Sequence, residues 1–149
     1  MNKLFTILML IPILLFGQRT KNNVYAEAHL GLFTQGVMNY ERLFSSGDKV
    51  NWYSRLGAGW GFNGIGGLFE SRYGVGGLGA ITMLTGKRDG HFELNMGAFI
   101  GDENGPSDRG KFLFPILNIG YRYQKPIGGF IFRANAGFPS LGISFGYAF

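Results

Sequence analysis

Cysteine is absent from the 149 residues, which excludes a disulfide framework, a thiolate metal site and an anchor built on a lipid-modified cysteine. Charge is sparse: 14 basic and 9 acidic residues leave a formal net of +5. The lysines (Lys3, Lys21, Lys49, Lys87, Lys111 and Lys125) fall at the start of the chain or in predicted turns. Without a basic patch or an arginine-rich helix carrying interleaved aromatics, nucleic acid is not an expected partner. A sustained apolar period of 3.6 residues is also missing beyond Gln18, which leaves no amphipathic helix. No apolar run is long enough to cross a bilayer comfortably as a helix. The longest, Leu4 to Phe16, is broken by Thr6 and Pro12. Behind Lys3, and followed by Gly17-Gln18, it reads as a secretory signal peptide over residues 1–17. Removing Lys3 with it leaves 13 bases and 9 acids, a net of +4 on residues 18–149.

What the chain has in plenty is glycine (26) and aromatics (15 Phe, 7 Tyr, 2 Trp). The glycines follow no collagen period and sit inside apolar alternation, and an apolar fraction of 46% excludes a disordered chain. One domain is expected. Period-two alternation predicts eight strands, over Asn23–Phe33, Gly36–Ser45, Asn51–Gly61, Gly76–Thr85, His91–Gly101, Phe112–Tyr123, Gly129–Phe138 and Leu141–Phe149. Most have the ~9–11 residues that a tilted membrane-crossing strand needs. The connections SSGDK, TGKRDG and QKPIGG are short and polar, TQG and FPS are tight, and FNGIGGLFESRYG and DENGPSDRGK are long. With the first strand running outward, the short polar turns fall on one side and both long loops on the other, as in outer-membrane barrels.

Sorting each strand by parity gives one nearly pure apolar face, with Val24, Leu30, Trp52, Leu56, Trp60, Phe92, Met96, Ile100, Leu117, Ile119, Tyr121, Leu141, Ile143, Phe145, Tyr147 and Phe149. The other face carries Tyr25, Glu27, His29, Asn39, Glu41, Arg55, Glu93, Asn95, Asn118, Arg122, Arg133, Asn135 and Ser144, with many glycines and no lysine. A soluble ligand-binding barrel alternates too, but its polar face meets water and carries lysine and glutamate rather than glycine. Glycine on a solvent face costs chain entropy for no return, whereas inside a narrow barrel it makes room for long polar side chains. The polar set is therefore expected inside and the apolar set against lipid. Because an open edge in a bilayer leaves unpaired backbone groups, the last strand must pair with the first. The fold class is all-β: an eight-stranded antiparallel up-and-down transmembrane β-barrel.

These features resemble the small eight-stranded outer-membrane barrels, the size class of the transmembrane domain of outer-membrane protein A. The leader ending FGQ, YER in the second strand, GYRYQKPIGGFIFRANAG and the final GISFGYAF look like short barrel proteins of Bacteroidota. The ending also resembles the assembly signal of such barrels, which implies that Phe145, Tyr147 and Phe149 are presented to the barrel insertion machinery. The resemblance implies an integral outer-membrane location with both termini periplasmic, and lipid and lipopolysaccharide as surroundings. Members of this class include anchors, adhesins, lipid-modifying enzymes and carriers of apolar molecules, so it fixes no activity.

The interior set of Glu27, His29, Glu41, Arg55, Glu93, Arg122, Arg133 and Ser144 is expected to form a lumenal polar network of ion pairs, because eight strands leave a lumen just wide enough for side chains. Pairing of the first and last strands is expected to bring His29 near Ser144 with Glu27 one step away. That is superficially a serine, histidine and acid set, but it points into the lumen. GVGGLG (74–79) matches a dinucleotide fingerprint but runs into the strand-like ITMLTG, and DENGPSD lacks the spacing of a calcium loop. No catalytic, cofactor or metal site is therefore expected, and the chain is expected to act as a monomer. The leading expectation is a non-enzymatic outer-membrane barrel without an open pore, in a structural or surface-interaction role through its long loops. The alternatives are a lipid-modifying enzyme of the lipid A acyltransferase or deacylase type, and a carrier of small apolar molecules.

Overall fold

The computed structural model describes residues 20–63, 72–86, 88–102 and 110–149. The expected signal peptide and most of both long loops lie outside them. Eight strands follow in order: β1 (Asn22–Gly31), β2 (Phe33–Ser46), β3 (Val50–Asn63), β4 (Arg72–Thr85), β5 (Gly90–Asp102), β6 (Lys111–Gln124), β7 (Gly129–Phe138) and β8 (Ser140–Ala148). Each pairs antiparallel with the next, and β1 pairs with β8, so the sheet is a closed barrel. The closing ladder runs from Asn23–Ala148 to Gly31–Ser140. Just beyond it Asn22 and Phe149 exchange backbone hydrogen bonds of 2.9 and 2.8 Å. The seam therefore presents no free edge.

The alternation that writes these strands also sorts their faces. In β1, Asn23, Tyr25, Glu27 and His29 are buried while Val24 and Leu30 are exposed. The same split continues round the barrel: Arg55, Glu93, Arg122 and Arg133 are at most 2% exposed, whereas Leu30, Leu56 and Leu141 are 64–71% exposed. A water-soluble domain keeps its arginines outside and its leucines inside. This barrel does the reverse.

Two boundaries differ from the sequence reading for physical reasons. TQG is not a turn: Gln35 and Gly36 already pair with Gly61 and Trp60 of β3, and the chain reverses at Leu32, whose N–H donates to Pro139 O at 3.0 Å. Gly36 serves packing instead, since a Cβ there would lie 2.6 Å from Trp60 Nε1. β4 begins at Arg72 rather than Gly76, because pairing with β3 continues through Gly61–Gly74 to Asn63–Arg72. GVGGLG is thus strand throughout.

The rim at the long-loop end is uneven. The β6–β7 ladder stops at Leu117–Phe138, while β6 continues back to Lys111 on β5 alone. Pro115 sits in this one-sided stretch, where a missing N–H costs no ladder bond on the open side. The lumen at this level is mainly apolar, with Gln35 buried among its apolar side chains, whereas the sequence reading expected a polar filling. Phe33, Val37, Leu78, Phe99, Phe112 and Ile116 form a buried apolar cluster. Phe33 of β2 stacks on Phe114 of β6 with ring centroids 4.4 Å apart, joining two strands that no ladder connects.

Glycine is required where backbones close on each other. A Cβ on Gly59 would lie 2.0 Å from Gly36 O, whereas one on Gly79 meets nothing within 4 Å. Gly59→Ala is therefore expected to cost about 1–3 kcal/mol, and Gly79→Ala to leave stability within about 0.5 kcal/mol. Thermal unfolding of the two variants in detergent checks the contrast, and equal melting temperatures would contradict the strand packing described.

Candidate functional site

Six inward-facing charges meet in the part of the lumen nearer the short turns. Glu27 (β1) accepts from Arg55 Nη2 (β3), and Arg133 Nη1 (β7) lies 3.5 Å from its other oxygen. Arg133 in turn donates through Nε to Glu93 (β5) at 3.0 and 3.1 Å. Glu93 also accepts from Arg122 Nε (β6). The other nitrogens of Arg122 form a two-point fork on Glu41 (β2), at 2.6 and 2.9 Å. The result is one chain of alternating sign, Arg55–Glu27–Arg133–Glu93–Arg122–Glu41, which crosses six strands and has no net charge.

The remaining two strands join through hydroxyls. Ser144 Oγ (β8) donates to Glu27 at 3.1 Å, and Thr82 Oγ1 (β4) donates to Asn95 Oδ1 at 2.7 Å, while Asn95 Nδ2 donates to Glu93 at 2.6 Å. Asn23 and Gln124 close the turn-side end, with Asn23 Nδ2 on Glu41 at 2.8 Å and Gln124 Nε2 on Asn23 Oδ1 at 3.1 Å. Tyr25 is flanked by two guanidiniums, with Arg133 4.2 Å and Arg55 5.4 Å from its ring centre. Arg122 lies 5.5 Å from the Tyr53 ring. These faces take up cationic surface that no carboxylate reaches.

His29 corrects one expectation. Its serine partner is Ser140, with Oγ 3.0 Å from Nδ1, and Ser144 turns instead to Glu27. On the far side Nε2 lies 3.1 Å from Glu27 Oε1, although without the alignment of a hydrogen bond. The ring rests on Gly142, where a Cβ would fall 2.3 Å from Nε2. Ser140, His29 and Glu27 therefore form a relay with the acid beside Nε2 and the hydroxyl at Nδ1. All three are buried.

Further residues are placed as follows. His91 is buried at the short-turn end, with Nδ1 2.8 Å from Thr85 O and Nε2 3.2 Å from Gln124 O. It lines a recess of about 130 Å³ at that mouth together with Thr20, Asp48, Tyr53, Leu84 and Lys125. Phe145 and Tyr147 face outward from β8, and Phe145 packs on Phe132 at 5.4 Å. Among the described residues, no three histidine or acidic side chains gather as a metal-binding group. Sequence parity missed Ser140, which it read as a turn residue, and the phenylalanine layer.

The chain matches no protein-family model, and no curated protein matches it in sequence. Among solved structures it is similar to the crystal structure of the outer membrane enzyme PagL, with 10% identity, a TM-score of 0.42, and coverage of 85% of this chain and 96% of that one. At that score the likeness is too coarse to bear on activity.

Removing a single charge from the chain leaves its neighbour buried and uncompensated. Arg122→Gln, which strips both Glu41 and Glu93, is expected to destabilise the barrel by about 3–5 kcal/mol. Replacing Arg122 by Met together with Glu41→Gln is expected to recover much of that loss, because Arg55, Glu27, Arg133 and Glu93 then remain as two charges of each sign, all with partners. Melting temperatures in detergent measure both, and an unshifted Arg122→Gln variant would contradict the network.

Proposed function

We propose that this protein is an integral outer-membrane β-barrel, monomeric and without an open pore, which holds its long loops at the cell surface in a structural or surface-interaction role. The observation that carries the reading is the inverted sidedness: arginine and glutamate are sealed inside and leucine, isoleucine and aromatics are presented outside. Strands of 9 to 14 residues match or exceed the ~9–11 needed to cross a bilayer. Side chains from all eight strands meet in the lumen, which supports the absence of a pore. Short turns and both ends of the described chain lie at one end of the barrel, which favours that end as periplasmic. In this reading the outer band touches outer-membrane lipid and lipopolysaccharide, and Phe145, Tyr147 and Phe149 offer the insertion machinery an aromatic strand.

Two measurements test it. Protein unfolded in urea and diluted into lipid vesicles is expected to gain the circular dichroism of β-sheet, while dilution into plain buffer gives none; a stable fold in plain buffer would end the membrane reading. Tyr147→Ala combined with Phe149→Ala keeps every backbone pair of the seam. It is expected to leave the melting temperature in detergent within a few degrees and to lower assembled barrel in cells severalfold, and unchanged cellular assembly would remove the assembly role.

One observation favours a second reading, a lipid-modifying enzyme. With Glu27 beside Nε2, the lone pair of His29 Nδ1 faces the Ser140 hydroxyl, the arrangement of a general base at a nucleophile. In that reading Ser140 Oγ attacks an ester carbonyl and its proton passes to Nδ1. The alcohol leaves with that proton, and water then frees the acyl group from Ser140. Mass spectrometry of lipid A from wild-type, deletion and Ser140→Ala cells discriminates the two readings: identical acylation in all three leaves the structural role alone.

A further inference from the structure

Apart from the six lumenal charges, the charged residues of 18–149 are unevenly divided along the sequence between the segments that belong to the two ends. Counted along the sequence, the segments at the short-turn end carry Arg19, Lys21, Arg42, Lys49, Lys87, Arg88 and Lys125 against Asp48 and Asp89, which is seven minus two, or +5. In the sequence of the long-loop segments Arg72, Arg109 and Lys111 are set against Glu70, Asp102, Glu103 and Asp108, a count of three minus four, or −1. Lys21, Arg42, Lys49, Arg88 and Lys125 are all exposed, and among the described residues none of them joins an ion pair.

Backbone bonds knit these cations into a ring. Leu43 N–H donates to Lys21 O at 2.7 Å, Gly86 N–H to Lys49 O at 3.2 Å, Gln124 N–H to Asp89 O at 2.8 Å, and Thr20 N–H to Pro126 O at 3.4 Å. Each bond ties one turn or terminal segment to its neighbour, so the cations are held at one level around the mouth. Just inside that level, on the outer wall, lie Tyr40, Trp52, Tyr121 and Tyr147, each 39–51% exposed. Tyrosine and tryptophan settle at the depth where hydrocarbon meets headgroups. The unpaired cations therefore stand at the depth of lipid phosphates.

We infer that the short-turn end is a collar for anionic phospholipid headgroups, with the cations binding phosphate and the aromatic band fixing their depth. The inference rests on the membrane reading above, and under the orientation given there the collar meets the periplasmic leaflet. A lipid surface fits better than a folded partner because the charge is spread round a ring and bordered by an apolar wall, rather than gathered in a concave site. An anionic surface attracts each nearby lysine or arginine, and the attraction weakens with salt.

The two tryptophans are placed to report on the two ends separately: Trp52 pairs near Met83, beside the collar, and Trp60 pairs with Val75, toward the loops. In phosphatidylcholine vesicles, the Trp60→Phe protein is expected to be quenched about twice as strongly by brominated phosphatidylglycerol as by brominated phosphatidylcholine at equal mole fraction. The Trp52→Phe protein is expected to show no such preference. Lys49→Gln with Arg88→Gln and Lys125→Gln, in the Trp60→Phe background, is expected to abolish the difference, as is raised salt. Equal quenching of Trp52 by the two lipids overturns the collar while leaving the membrane reading intact. Quenching of neither tryptophan by either lipid overturns both.

Discussion

The alternating chain of three arginines and three glutamates is the constraint on which the rest of the barrel depends. Six charges buried in a narrow lumen are tolerable only when each meets its opposite. Here that condition is fulfilled only when β1, β2, β3, β5, β6 and β7 are all in place. The same condition fixes strand register. A slip of one residue in any of these strands would turn its charge to the outside and an apolar side chain inward. A buried ion network is weak evidence of extra stability over an apolar core, but it is a strict selector among pairings. Neutral sum, closed seam and apolar exterior are one arrangement described from three sides.

Above this chain the lumen changes character. Phe33, Phe99, Phe112 and Phe114 fill the loop-side section, and glycines make their space. A Cβ on Gly61 would lie 2.3 Å from Phe33 Cζ, and one on Gly101 would lie 2.6 Å from Phe112 Cζ. The interior is thus two-layered, with ion pairs below and dispersion contacts above. The division matches what each layer must hold. Near the short turns all eight strands are laddered on both sides. Toward the loops β6 loses its β7 partner, and the contact between Phe33 and Phe114 links β2 to β6 where backbone pairing ends.

Period-two patterning revealed much of this in the sequence, since a face assignment survives errors of several residues in strand ends. All six lumenal charges were legible for that reason, and so was closure, which a bilayer imposes on any such sheet. Partner choice was not legible. Arg55 sits directly across from Glu41 in register, yet it reaches Glu27, while Glu41 takes Arg122. Long side chains in a narrow lumen select partners across the barrel, and strand pairing does not encode those distances. The serine at His29 was misread for a related reason. His29 pairs with Gly142, which puts Ser140 and Ser144 one same-face step away on either side. Glu27 already holds Ser144, and the bare Cα of Gly142 lets the ring lie flat with Nδ1 toward Ser140. The phenylalanine layer was missed because Phe33 and Phe112 looked like strand ends, and TQG because a glycine that accommodates an indole looks like a turn glycine.

Glu27 links the structural and the chemical readings. It takes donors from Arg55 and Ser144 and stands beside His29 Nε2, so its charge is held by groups whose first role is to fill the barrel. A carboxylate at Nε2 favours the tautomer with the proton on that nitrogen, and the Nδ1 lone pair is then left to accept the Ser140 hydroxyl. The ion network therefore orients a hydroxyl near the rim whether or not that hydroxyl ever reacts. Disturbing Glu27 changes packing and tautomer together and says nothing about chemistry alone. Ser140 is different, because among the described residues its hydroxyl bonds only to His29 and takes no part in the charge chain. The two readings of this barrel separate at that oxygen.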